Sequence, residues 1–130
     1  MSPVFFIDRS IGKHFAANAL RAAGAAVEVH DDHFKQDAPD EEWLLEVGRR
    51  GWAVVTSDDR IRYRVAEREA ATSAGVALFI FTGRRMRGPA VAEALVRALP
   101  AMMASLTNQP RPFVAKVSRS SAVTLLDDEA

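Results

Sequence analysis

The chain has 130 residues, with 17 Lys plus Arg against 17 Asp plus Glu, 48% hydrophobic residues and no cysteine. That length suits one domain with a real core. The missing cysteine excludes disulfides, thiolate chemistry and cysteine-based zinc sites, and the zero net charge names no partner. No basic segment precedes the first apolar run, so no signal peptide is expected. No apolar stretch reads as membrane-spanning, and a cytoplasmic location is expected.

Residues 4–7 (Val-Phe-Phe-Ile) are continuously apolar and predict a strand buried on both faces. Ser10 is expected to cap a helix in which Ile11, Phe15, Ala19 and Leu20 recur at helical spacing, and Gly24 ends it. Residues 25–30 predict a second strand and 31–39 a polar loop. Asp40 is expected as the N-cap of a helix with Glu41 and Glu42 in its first turn, where the helix dipole favours negative charge. Trp43, Leu44 and Val47 give that helix an apolar face, so the tryptophans are read as core. Residues 52–56 predict the third strand, 61–73 a third helix and 76–81 the fourth strand. A basic loop at 83–88 leads to a long helix reaching about Leu106, with Pro89 in its first turn. Pro100 is expected to kink or divide it. Residues 108–112 read as a linker, 113–117 and 122–126 as a terminal hairpin, and 127–130 as a disordered acidic end. Residues 1–107 thus form the main domain, and 108–130 the linker, hairpin and tail.

Strands alternating with helices predict a mostly parallel sheet with right-handed crossovers. In such a sheet the carboxyl ends of the strands share one edge, where ligands bind. Here those ends lead into acids: Asp8 after the first strand, Asp31 and Asp32 after the second, Asp58 and Asp59 after the third. Carboxylates gathered at one edge repel one another unless a hard cation such as Mg²⁺ or Mn²⁺ sits among them. The competing reading makes Asp8, Asp58 or Asp59 ordinary helix caps, and Asp40, Glu41 and Glu42 ordinary helix-start acids. Arginines cluster at 60, 62, 64 and 68 and at 84, 85 and 87, a basic rim that suits a polyanion. Thr56 and Ser57 are candidate hydrogen-bond supports for the acids. His30-Asp31-Asp32-His33 is a poor transition-metal site, because neighbours on an extended chain point apart. Gly12-Lys13-His14 lacks the full phosphate-loop pattern, though Lys13 could reach a phosphate near Asp8.

The segments Phe-Phe-Ile-Asp-Arg-Ser-Ile-Gly at 5–12, Asp-Glu-Glu-Trp-Leu at 40–44 and Val-Val-Thr-Ser-Asp-Asp at 54–59 resemble the PIN-like nucleases. They are most similar to the short toxins of VapC type, over roughly residues 3–100. The resemblance implies an α/β/α sandwich, here with a C-terminal β-hairpin, and Mg²⁺- or Mn²⁺-dependent cleavage of RNA. It places the family's acids on Asp8, on Asp40 or Glu41, and on Asp58 with Asp59 beside it. The expected catalytic set is therefore Asp8, Asp40, Glu41 and Asp58, and the metal set Asp8, Asp40, Asp58 and Asp59. Lys13, Arg60, Arg84, Arg85 and Arg87 are expected to hold RNA. A cognate antitoxin protein is the implied partner, no membrane is expected, and a homodimer is left open. Larger members carry a longer helical insertion with a further acid, so a reduced acidic cage is expected here. The alternative is a non-catalytic PIN-like or receiver-like binding module. The receiver version would use Thr82, but it needs an acidic pair after the first strand and a lysine after a fifth, for which the sequence offers no clear strand.

Overall fold

The computed structural model describes residues 3–12 and 14–126, without the side chains of Asp59, Arg62 and Val65. Lys13 and the expected acidic end lie outside the described residues. Strands β1 (Val4–Ile7), β2 (Ala26–Val29), β3 (Ala53–Thr56), β4 (Ala77–Phe81), β5 (Phe113–Val117) and β6 (Val123–Leu125) form one sheet in the order β2-β1-β3-β4-β5-β6. The first five are parallel, and β6 returns antiparallel to β5. Every residue of β3 and β4 is buried, which explains their unbroken apolar sequence.

Helices α1 (Phe15–Ala22) and α4 (Gly88–Asn108) cover one face of the sheet, and α2 (Asp40–Arg49) and α3 (Val65–Ser73) cover the other. Side chains alternate across each strand, so β1 sends Phe5 and Ile7 into one core and Phe6 into the other. Full burial of each such residue contributes about 1.5–3 kcal/mol. Gly48 allows α2 to lie against the end of α3, because a Cβ there would collide with the Cβ of Ala74.

The expected α/β/α sandwich and terminal hairpin are present. Several local expectations change. Ser10 does not cap α1; it lies in a 3-10 turn, Arg9–Ile11, and α1 begins later with His14 at its N-cap. The second strand stops at Val29, and His30–Asp32 is a second 3-10 turn. Pro39 takes the N-cap position of α2, and Asp40 is the first helical residue. The stretch 61–73 divides into a 3-10 turn, Asp59–Arg62, and α3. Helix α4 runs unbroken through the exposed Pro100. It is also long and apolar enough to cross a membrane, contrary to the expectation that no stretch would be. In this fold its Ala94, Leu95, Ala98 and Met102 are buried in the core shared with α1.

Candidate functional site

Asp8 leaves β1 directly, and its backbone N–H still donates to the carbonyl of Val55 on β3 at 3.0 Å. That bond ties the first acid to the neighbouring strand before the chain turns. The side chain is 3% exposed. Its Oδ2 accepts from Thr56 Oγ1 at 2.7 Å and from Ser10 Oγ at 2.8 Å. Each hydroxyl has one proton, so both are committed to Asp8, and the 3.0 Å approach between the two hydroxyls is only a consequence. The hydroxyls also accept: Ser57 N–H donates to Ser10 Oγ at 2.9 Å, and Asp58 N–H to Thr56 Oγ1 at 3.1 Å. The loop after β3 is thus fastened to the carboxylate after β1. The other oxygen, Oδ1, is buried and has no hydrogen-bond partner.

Asp58 follows β3 on the same sheet edge, because β1 and β3 are parallel neighbours. Its Oδ1 accepts from the backbone N–H of Arg60 at 3.1 Å and from Arg60 Nε at 3.0 Å. It therefore caps the following 3-10 turn as well as standing at the edge. Asp40 reaches the site from the start of α2. Its Oδ1 accepts from Trp43 Nε1 at 2.9 Å and pairs with Arg9 Nη2 at 3.3 Å. Burial pushes the Asp40 carboxyl above its ordinary range; the Trp43 hydrogen bond and Arg9 oppose this, while the charges of Asp8 and Asp58 add to it. Asp8, Asp40 and Asp58 therefore share one electrostatic neighbourhood. Arg9 itself bridges onward to the buried His30, its Nη1 lying 3.1 Å from Nε2. His30 is packed among Phe6, Phe34 and Trp43, and its Nδ1 lies 3.4 Å from Asp31 Oδ1.

Glu41 is half-buried and lines the groove between α2 and α3. Asp59 lies in the 3-10 turn after Asp58, and its side chain is outside the described part. Among the described residues, no three Asp, Glu or His side chains come close enough together to hold an ion. Arginines stand between the acids instead: Arg9 at Asp40, Arg60 at Asp58, and Arg64 near both Asp40 and Glu67.

Glu67 is the residue sequence reading missed. It is 8% exposed, in the first turn of α3, and its Oε2 is buried without a partner. Burial raises its pKa; Arg64 opposes this, and the charges of Asp40 and Glu41 add to it. Its only sequence signal is Arg64 three residues earlier, which looks like an ordinary surface pair on a helix.

A cleft of about 920 Å³ opens beside Asp58. It is lined by Ser10, Ser57, Arg60, Thr82, Arg84, Arg85 and Lys116, among others. Arg84 and Arg85 belong to this lining, whereas Arg87 is the exposed N-cap of α4 and does not. Arg85 holds a left-handed φ of 59°, uncommon for a residue with a side chain. Lys116 was not anticipated. It stands opposite Ile80 on β5, which forms the expected hairpin with β6 and also joins the sheet as a parallel fifth strand.

The sequence profile of the PIN-like domain matches residues 3–83, more than half of the chain. The chain belongs to the PIN-like domain family. This PIN-like segment contains Asp8, Asp40, Asp58 and Glu67, whereas Lys116 lies beyond it. No curated protein and no solved structure matches the chain.

Proposed function

We propose that this PIN-like domain is a metal-dependent endoribonuclease, the toxin of a toxin–antitoxin pair of VapC type. Asp8 carries the reading: a fully buried carboxylate with one oxygen fixed by two hydroxyls and the other left without a partner. Leaving a buried acceptor unpaired costs about 1–3 kcal/mol or more for a charged group, so a purely structural aspartate is a poor account of it. Asp8, Asp40 and Asp58 offer carboxylate oxygens, the donor type that suits a hard ion such as Mg²⁺ or Mn²⁺, and the arginines that stand between them would give way to it. Asp8, Asp40 and Asp58 would hold it, with Asp59 and Glu41 adjacent. The ion supplies water activation and charge neutralisation at the phosphate.

The chain's own residues do the rest. Ser10 and Thr56 orient Asp8 by donating to its Oδ2. Arg60, Arg84 and Arg85 line the adjoining cleft and would meet the RNA backbone, giving affinity with little sequence choice. Arg87, at the N-cap of α4, would extend that track. A cognate antitoxin and a cytoplasmic site of action rest on the likeness of the three sequence segments to VapC-type toxins. Purified protein should cleave single-stranded RNA with Mg²⁺ or Mn²⁺ and not in EDTA. Asp8→Asn should lose at least about 100-fold in rate, the upper end of what even a supporting residue costs. Equal cleavage by wild type and variant would remove Asp8 from the site.

One observation favours a second reading. Asp58, Thr82 and Lys116, at or near the ends of β3, β4 and β5, line one cleft, and the strand order β2-β1-β3-β4-β5 is that of a receiver-like phosphorylation switch. A single acid, Asp8, followed by Arg9, stands where such a switch needs an acidic pair. Transfer of phosphate from a small phosphodonor to Asp58 would favour this reading over the nuclease.

A further inference from the structure

Lys116 is a charge that the family segment does not contain. It lies on β5, beyond residues 3–83, and lines the same cleft as Asp58. Its place follows from register. Ile7 pairs with Val55, so Asp8 and Thr56 come next on their strands; Thr56 pairs with Ile80, and Ile80 with Lys116. One row across the carboxyl edge thus runs from Asp8 to Lys116. Residues two positions earlier share a face with this row, and there Phe6, Val54 and Leu78 lie in the core under α2 and α3, with Val114 packed against it. Within the row Ile80 is buried, whereas Lys116 is exposed. Among the described residues no carboxylate pairs with Lys116, while Arg60 in the same cleft is bound to Asp58. Guarding the sheet against other strands does not account for a lysine here, because that role belongs to an edge strand and the edge is β6.

Three strand spacings separate Asp8 from Lys116 along the row, on the order of 14 Å. That distance spans more than one phosphodiester unit, so Lys116 faces a phosphate further along the strand and not the one at Asp8. We propose that Lys116 is an anchor for RNA, holding a backbone phosphate a short, fixed distance from the bond being cut. The protein then favours RNA chains long enough to reach both places over short ones. This rests on the nuclease reading above and adds to it a measure of substrate length. Held on a strand of the sheet and not on a loop, the lysine fixes that length more firmly than Arg84 or Arg85 would.

The test uses the full chain with Mn²⁺ and a nested series of oligomers, from dinucleotide to octanucleotide, centred on the bond that the wild type cuts in a longer unstructured RNA. Wild-type KM should fall once the oligomers are long enough to reach Lys116. Lys116→Ala should raise KM by up to about 5-fold on the longer oligomers only, with kcat as in the wild type. It should also lower the slope of log K against log salt by about 0.7. Lys116→Arg should restore the dependence on length. Melting curves show whether each variant is folded, and if Lys116→Ala is not, Lys116→Gln takes its place. An equal rise in KM at every length, a fall in kcat, or an unchanged KM throughout overturns the inference and leaves the nuclease reading in place. If the wild type cuts no RNA, both fall.

Discussion

The two faces of the sheet are built from different materials. On the side of α1 and α4 the core is Phe5, Ile7, Leu20, Phe79 and Leu95 with many alanines, and all of it is apolar. On the side of α2 and α3 the packed aromatic residues Phe6 and Trp43 meet His30, and polar groups lead outward from there. His30 touches Arg9, Arg9 touches Asp40, and Trp43 donates to Asp40. The first face holds the sheet together. The second passes packing into the position of charged side chains, so its residues cannot be exchanged for others of equal volume.

That difference can be broken deliberately. Leu95 is fully buried in the first face, and Leu95→Ala should cost about 2–5 kcal/mol in denaturant unfolding. Ion binding per folded molecule should not change, since no charged group of the site lies in that core. Thr56→Val is the opposite probe. It keeps the shape, but removes the hydroxyl that donates to Asp8 and accepts from Asp58. Stability should fall by about 1–3 kcal/mol, and Mn²⁺ affinity should fall roughly 10- to 100-fold. A Thr56→Val protein that is less stable yet binds Mn²⁺ normally would make this hydroxyl structural only.

The third probe concerns the cleft beyond the helices of the second face. Replacing Arg84, Arg85 and Lys116 together with Ala should lower RNA affinity and flatten its salt dependence. The slope of log K against log salt should fall by about 2, given roughly 0.7 per phosphate contact on single strands. An unchanged slope would move the RNA path away from this cleft. The smallest effect is on pH. Asp40 and Glu67 have raised pKa values in the fold, so the native protein keeps protons that the unfolded chain has released. In EDTA, the contribution of these two groups to stability should be fully present below the ordinary carboxylate range and decline as pH rises through the raised values. Glu67→Gln should remove part of that decline, so its melting curve should gain on wild type as pH rises.

Much of this architecture can be read from the residues. The fully buried strands declare themselves as apolar runs, and Asp8 and Asp58 stand where those runs stop. Ser10 could not be read, because a serine before a helical pattern looks like a cap and only the fold brings it to Asp8. Glu67 could not be read either. Its burial depends on how α3 leans toward α2, and the close approach at Gly48 has no local signature. Lys116 was hidden because 113–117 and 122–126 look like an isolated hairpin, whereas β5 joins the sheet beside β4 by long-range pairing.

That pairing has a consequence for solubility. The PIN-like match ends at Gly83, two residues after β4, whose five residues are all buried and apolar. Without β5 this strand would be an open edge, with unpaired backbone groups and no charge to discourage another strand from adding to it. In the whole chain the edge passes to β6, only three residues long and partly exposed, fixed by Leu126 N–H to Val114 and by Ser121 Oγ to the Ala94 carbonyl of α4. The C-terminal hairpin thus protects the sheet against self-association, and a fragment cut back to the family segment should aggregate.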